Sequence, residues 1–210
     1  MSLAKLLQLA SPALPVGAYS YSGGLEAAIE AGVVADAATA ERWIGDVLEH
    51  SVAKMEAPMF LAFLTSDDLP GLNERFLATR ETAELRAETV QMGYSLNRLL
   101  KDLDVGAVPL EEPSFPAAFA HAARRWNIEP EAALQAYLWA WIENQVMAAV
   151  KAVPLGQTDG QRMLMRLGER IAALTPEVLA MKQEDLGNFA PGLALLSSRH
   201  ETQYSRLFRS

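Results

Sequence analysis

Apolar residues recur along this 210-residue chain at the spacing of α-helices. The clearest stripe runs through Leu85, Met92, Leu96 and Leu103. Residues three, four and seven positions apart share one face of a helix, so this pattern predicts a long amphipathic helix. Gly93 lies inside the stripe, where a glycine costs about 1 kcal/mol relative to alanine. Its presence therefore predicts a close approach between this helix and a neighbouring part of the chain.

Helical spacing extends over most of the remaining sequence. The predicted helices are 2–10, 25–31, a long helix capped by Asp36 or Thr39 that Pro58 interrupts or kinks, 72–78, 116–126, 130–150, 163–174 and one that begins at Pro176. The segment 130–150 is apolar nearly all round, which is typical of a central buried helix. The sequence VPLGQTDGQ after it is expected to form a loop or a strained junction. No alternating strand pattern persists for more than a few residues.

The composition supports the same fold class. The chain is rich in alanine and leucine, which are strong helix formers, whereas strands favour β-branched and aromatic residues. Its length suits one sizeable core. We therefore predict an all-α fold in which residues 1–210 form a single compact domain of nine or ten helices. Residues 1–24 supply an N-terminal helix and loop, and residues 193–210 a short helix and an exposed C-terminal docking tail.

Charge and cysteine content exclude several classes of protein. The formal net charge of −8 argues against a general nucleic-acid binder, which needs a basic surface. The chain contains no cysteine, which removes disulfides, thiolate metal sites and cysteine nucleophiles together. No segment is apolar enough to predict a membrane span, and the first residues lack the pattern of a signal peptide. We expect a cytoplasmic protein that binds neither nucleic acid nor membrane.

Residue patterns that carry catalytic chemistry are missing. The three histidines, His50, His121 and His200, are far apart, and no pair has the spacing of metal ligands on one helix. We interpret them as solvated or locally bonded. Neither a phosphate-binding P-loop nor a serine nucleophile elbow occurs. The carboxylate pairs Glu26/Glu30 and Glu84/Glu88 are expected on solvated helix faces. The sequence therefore predicts a protein that is not an enzyme.

The last fourteen residues, SSRHETQYSRLFRS, differ from the rest of the acidic chain. Arg199, Arg206 and Arg209 outnumber Glu201, and tyrosine, leucine and phenylalanine lie among them. Arginine and tyrosine are enriched at binding hot spots, so this segment is a candidate docking peptide. The alternative, that it folds back on its own domain, is equally consistent with its composition.

Four segments of the chain resemble the urease accessory protein F (UreF) family. They are SPALPVGAYSYSGGLE, ETAELRAETVQMG, WIENQVMAAVKAVPLGQ and the C-terminal SSRHETQYSRLFRS. The resemblance covers essentially the whole chain in matching order, and the C-terminal motif is long and specific. It implies an all-helical, non-enzymatic protein that acts in the maturation of urease.

The resemblance also implies partners. The protein would bridge a UreD-type scaffold and the UreG GTPase, act on apo-urease through that complex, regulate GTP-dependent nickel insertion and form a homodimer. Nickel and GTP then belong to the pathway and the partners, and we expect this chain itself to bind no cofactor or metal.

Candidate binding residues come from two sources: positions that match the family motifs quoted above, and segments whose composition is unusual for a helical domain. The candidates for the GTPase-facing or gating surface are Glu30, Lys151, Gln157, Asp159 and Arg162. For Arg162 an ion pair on a helix face is the simpler interpretation. The candidates for binding the scaffold are the tail residues His200, Glu201, Tyr204, Arg206, Leu207 and Phe208.

Two other classes of protein are alternatives. A helical ligand-binding or regulatory domain unrelated to urease would have a small-molecule pocket beside the tryptophan-rich segment 130–150. A four-helix metal enzyme would need Glu-x-x-His pairs, which the sequence lacks.

Overall fold

Helices account for nearly all the regular structure of the computed structural model, which describes residues 3–210 apart from the side chain of Gln183. The α-helices are α1 (Leu3–Ala10), α2 (Leu25–Glu30), α3 (Ala37–Val47), α4 (Ala57–Thr65), α5 (Leu69–Ala78), α6 (Ala83–Asp102), α7 (Phe115–Arg125), α8 (Pro130–Ala152), α9 (Gln157–Ala180) and α10 (Pro191–His200). Ala18–Ser20 and Gln183–Asp185 form 3-10 turns. Residues 3–210 contain no strand, so the predicted all-α fold class is confirmed.

Helix α8 lies at the centre of the fold, as its apolar sequence predicts. It contacts α1, α2, α3, α4, α7 and α9, and Leu134, Leu138 and Ile142 are completely buried. The buried ring of Tyr137 stacks nearly parallel on Phe60 of α4 with a centroid separation of 4.7 Å. Burial of large aromatic groups is a major source of stability, so α8 is the element around which the other helices are organised.

Two local features that the sequence predicts are present: a helix cap and a close backbone approach. The side chain of Asp36 accepts a hydrogen bond from the Thr39 N–H, and Thr39 reciprocates, which makes the predicted helix start a capping box. In α6, a Cβ atom on Gly93 would lie 2.1 Å from the carbonyl oxygen of Pro113. The close approach predicted for Gly93 is therefore confirmed, and the neighbour is the loop before α7.

The sequence predicts that Pro58 interrupts or kinks the long helix that begins at α3. The helix does change before Pro58, but the change is from α-helix to π-helix. Leu48–Glu56 form a π-helix, and Pro58 lies in the first turn of α4. Proline has no N–H to donate to the carbonyl four residues back, which is that of Lys54. That carbonyl accepts instead from the N–H of Gly187 at 3.2 Å. The segment before α10 thus satisfies a backbone group that Pro58 leaves free.

Two predictions on α9 are wrong. Helix α9 begins at Gln157, so the second half of VPLGQTDGQ is helical and not a loop. Pro176 lies inside the same helix and does not start a new one. The neighbouring Thr175 and Val178 are buried, and the Thr175 hydroxyl donates to the carbonyl of Ile171 at 2.7 Å. Packing against the core therefore outweighs the local cost of the proline.

Candidate functional site

Residues 201–210, here called the C-terminal segment, fold back on the N-terminal part of the chain. The N–H of Arg209 donates to the carbonyl of Ser20 at 2.8 Å, and the N–H of Ser22 donates to that of Ser210 at 3.1 Å. Phe208 and Ser210 are buried. The predicted exposed tail is thus exposed in part: most side chains from Glu201 to Leu207, and Arg209, are exposed, whereas Phe208 and Ser210 pack on their own domain.

Glu26 of α2 holds this segment by its backbone. One carboxylate oxygen accepts from the N–H of Leu207 at 2.7 Å, and the other from the N–H of Phe208 at 2.9 Å. Glu26 is 7% exposed. A buried carboxylate is stable when its oxygens accept several hydrogen bonds, and here two consecutive backbone groups supply them. Glu26 therefore fixes where the C-terminal segment leaves the surface and enters the core.

His200, the last residue of α10, connects two carboxylates. Its Nδ1 lies 2.6 Å from Glu84 of α6, and its Nε2 lies 3.2 Å from Glu26. The imidazole is fully buried, and the other Glu84 oxygen accepts from Arg206 at 2.6 Å. We call Glu26, Glu84, His200 and Arg206 the tail clamp. It joins α2, α6, α10 and the C-terminal segment through groups far apart in sequence.

The start of α6 adds a further anchor. Glu201 accepts from the N–H of Ala83 at 2.9 Å through its side chain, and so caps α6 from outside the helix. Thr82, the N-cap residue, lies 2.8 Å from the hydroxyl of Ser197 in α10. Negative charge at a helix N-terminus is favourable, so Glu201 stabilises the contact between α6 and the segment.

The tail clamp corrects two interpretations made from the sequence. Glu26 and Glu84 were expected on solvated helix faces, but both are largely shielded and bonded to the C-terminal region. His200 was expected to be solvated or locally bonded, but its partners lie 116 and 174 residues away. No local spacing signals such contacts, because only the tertiary fold brings α2, α6 and α10 together.

The outward side of the C-terminal segment carries exposed apolar groups. Tyr204 is fully exposed and Leu207 is 59% exposed. Beneath them Phe208 is buried, and Lys151 at the end of α8 places its Nζ 4.6 Å from the Phe208 ring centroid. Candidate residues for two different partners therefore touch each other at this point: Lys151 for the GTPase and Phe208 for the scaffold.

The other GTPase-facing candidates form a looser set. Gln157 and Arg162 are exposed at the start of α9, and Glu30 is exposed at the end of α2. Asp159 pairs with Arg162 at 3.3 Å, one turn apart on the same helix face. This contact is the helix-face ion pair that the sequence offered as the simpler interpretation of Arg162. These four residues are available at the surface but are not bonded into the tail clamp.

A cavity of about 330 Å³ lies beside α8, between the N-terminal loop and α6. At its polar end the Tyr137 hydroxyl donates to Glu56 at 2.5 Å, and Arg80 pairs with the other oxygen of Glu56 at 2.8 Å. Trp141, one turn further along α8, also lines the cavity. A pocket beside the tryptophan-rich helix is the feature that a ligand-binding domain would have.

Residues 3–210 include no group of three histidine, aspartate or glutamate side chains arranged to hold a metal ion. In the tail clamp, the two carboxylates face different nitrogens of the His200 ring, so these ligands do not converge on one point. In the described part of the chain, no helix is long and apolar enough to cross a membrane.

The fold and site define a class: an all-helical protein whose C-terminal segment folds back on α2 and α6 and keeps Tyr204 and Leu207 exposed. The UreF family model matches residues 34–168. The urease accessory protein UreF of Azoarcus sp. (strain BH72) is 58% identical over 100% of this chain and 96% of its own length. The corresponding protein of Dechloromonas aromatica (strain RCB) is 53% identical over 100% and 98%. This chain belongs to the UreF family of urease accessory proteins.

Proposed function

We propose that this protein is a non-catalytic adaptor in urease maturation. It bridges a UreD-type scaffold and the UreG GTPase and regulates GTP-dependent insertion of nickel into apo-urease. Family membership supports the urease pathway. The observation that carries the adaptor role is the ordered C-terminal segment, whose backbone is held by Glu26 while Tyr204 and Leu207 face outward.

The scaffold-binding surface is the outward side of this segment. Arranging exposed apolar groups on an ordered backbone reduces the conformational entropy that binding must otherwise overcome. Tyr204 and Leu207 supply apolar contacts, and Arg206 and Glu201 supply charge at the edge. His200 and Phe208 are buried, so in the free protein they position the surface from below.

The GTPase-facing surface comprises Lys151 and the neighbouring junction of α8 and α9, with Glu30 as a further candidate. The contact between Lys151 and Phe208 gives a physical route from one partner to the other. A scaffold that shifts the C-terminal segment also changes the contact between the Lys151 ammonium and the Phe208 ring. An adaptor acts when it contacts two states of a partner differently, and a GTPase changes its switch segments between its two nucleotide states.

Nickel and GTP are cargo and substrate of the partners in this proposal. The protein works in the cytoplasm as a homodimer. Light scattering on the purified chain measures this oligomeric state directly.

Co-purification with a UreD-type scaffold and UreG, with and without nickel and GTP, tests the proposal. The test variant is Tyr204→Ala/Leu207→Ala, which leaves the buried anchors in place. Its matched control is Met165→Ala, since Met165 is 71% exposed on α9, away from the segment. The proposal predicts that the double variant loses the scaffold and the control retains it. If wild-type protein captures neither partner, the adaptor role is wrong.

A truncation that removes residues 199–210 is a weaker test. It deletes the buried His200 and Phe208 together with the exposed groups, and it leaves Glu26 without its donors. Loss of binding would then reflect local unfolding as readily as loss of a contact surface.

A further inference from the structure

The cavity beside α8 has the size and walls of a small-molecule site. Its volume of about 330 Å³ falls in the range of natural ligand pockets. Most of its walls are apolar, and the apolar side chains that line it include Leu9, Leu14, Val16, Met92, Phe115 and Trp141. The exposed side chains of Tyr19 and Met147 are also part of the lining, so the cavity is accessible from solvent.

One part of the polar lining is internally neutral. Glu56 is bonded by both Arg80 and the Tyr137 hydroxyl, which satisfies its two oxygens. The Nε of Arg80 is buried without a hydrogen-bond partner. Since the guanidinium is already paired with Glu56, this part of the cavity offers no free positive charge to an anionic ligand.

Glu88 of α6 is different, because it lines the cavity without a cation of its own. Its carboxyl accepts from the Ser210 hydroxyl at 2.6 Å, and none of the ion pairs among residues 3–210 involves it. Burial raises the pKa of Glu88 to about 7, and the charge of Glu56 adds to this effect, while the Ser210 hydrogen bond and the charge of Arg80 oppose it. A carboxyl in such surroundings is stabilised in its charged form by any cation that reaches it.

The remaining charged groups of the lining strengthen this imbalance. Glu81 and Glu143 also border the cavity, and burial raises the pKa of Glu143. Arg80 is the single basic residue of the lining, against four carboxyl groups. An anionic guest would add negative charge to this lining, and a neutral guest would leave Glu88 without a cation whenever its carboxyl is charged. A metal ion would need several converging ligands, which residues 3–210 do not group together.

We propose that this cavity binds a small organic monocation, an amine with an apolar body, with its ammonium at Glu88 and its body against Trp141 and Phe115. The ammonium donates to the Glu88 oxygen that Ser210 leaves free, and the aromatic walls exclude water around the pair. Charge-assisted hydrogen bonds in a shielded site are stronger than neutral ones, which gives the site its selectivity.

The test uses three probes of nearly the same size: 2-phenylethylamine, 2-phenylethanol and 3-phenylpropionate. Titration calorimetry on the full chain is expected to show binding of the amine about tenfold or more tighter than binding of the alcohol, and none of the carboxylate. In Glu88→Gln the preference for the amine disappears, while the alcohol binds as before. Glu88→Asp keeps the charge and retains part of the preference.

Glu74→Gln is the matched control, because Glu74 is an exposed carboxylate on α5 outside the cavity. It should bind the amine as wild type does. Equal affinity for amine and alcohol, no amine binding at millimolar concentration, or an unchanged preference in a folded Glu88→Gln would each overturn the proposal. If Ni²⁺ alone displaced the amine at a concentration lower than that of the amine, the ligand of the cavity would be a metal ion and the proposal would be wrong.

Discussion

The C-terminal segment and the junction of α8 and α9 both carry residues predicted to bind partners, but they are built in different ways. The segment is held by Glu26 and the other members of the tail clamp, whose partners come from distant parts of the sequence. At the junction, Asp159 and Arg162 bond only to each other, one turn apart and in solvent. The comparison indicates a preorganised surface in the first region and an adaptable one in the second.

Glu26→Ala should have the largest effect. It removes the acceptor for the N–H groups of Leu207 and Phe208 and one neighbour of His200, all at buried or partly buried positions. We expect the free energy of unfolding to fall by about 3 kcal/mol, since buried donors are left unpaired. Hydrogen exchange at the two amides should accelerate.

Denaturant unfolding and hydrogen exchange measure these effects, and Glu30→Ala on the same helix is the control. Glu30 is exposed, so its replacement should change stability by less than about 0.5 kcal/mol. If the two variants behaved alike, the tail clamp would not be what anchors the segment.

Glu88→Gln should reveal a pH dependence at the end of the segment. Because burial raises the pKa of Glu88 to about 7, the folded protein binds a proton there that the unfolded chain has released. Stability contributed by this proton is present near pH 4 and is lost as the pH rises through about 7. The groups that act on Glu88 are Glu56, Arg80 and the Ser210 hydroxyl.

Relative to wild type, Glu88→Gln should therefore gain about 2 kcal/mol between pH 5 and pH 8, a range set by the shifted pKa. Urea unfolding at a series of pH values measures the difference. Parallel stability curves for the two proteins would show that Glu88 is not the titrating group.

Lys151→Ala tests the link between the two regions. The ammonium lies 4.6 Å from the Phe208 ring centroid, and a cation–π contact at an exposed lysine is worth about 0.5–1 kcal/mol. The fold should persist by circular dichroism, whereas urease activation in a cell assay should fall. Lys151→Arg keeps the cation and should restore part of the activity. If Lys151→Ala activates urease as well as the wild-type protein does, Lys151 is not part of the functional surface.

Arg162→Ala should have the smallest effect on stability. Its ion pair with Asp159 joins two exposed side chains on one helix face, a contact worth about 0.2–0.5 kcal/mol. Thermal unfolding should change little, so any loss of UreG binding would come from the surface itself. A stability loss as large as that of Glu26→Ala would mean that the junction is as tightly built as the tail clamp.

The fold was largely predictable because helix periodicity is local. The stripe from Leu85 to Leu103 and the apolar α8 are visible in the residue pattern, and Asp36 caps its helix with a neighbour three positions away. The π-helix and the continuation of α9 through Pro176 were not predictable in this way. Both depend on contacts from elsewhere, such as the Gly187 N–H on the Lys54 carbonyl.

The candidate site was predictable only in part. Arginine and aromatic residues mark the last residues as unusual, and the sequence left open whether they fold back. What decides between exposure and burial is the buried carboxylate of Glu26, and a glutamate four positions from Glu30 looks like any solvated pair. The long-range partners of Glu26 and His200 carry no local signal, because α2, α6, α10 and the C-terminal segment must first pack together.

The most direct measurement is the affinity of a UreD-type scaffold for Tyr204→Ala/Leu207→Ala, compared with wild type and Met165→Ala. If the ordered segment presents the binding surface, the double variant should bind at least about thirtyfold more weakly, the loss typical of one hot spot. Its amide exchange at Leu207 and Phe208 should stay slow, because the tail clamp is untouched. Unchanged scaffold affinity, with the segment still ordered, would contradict the account.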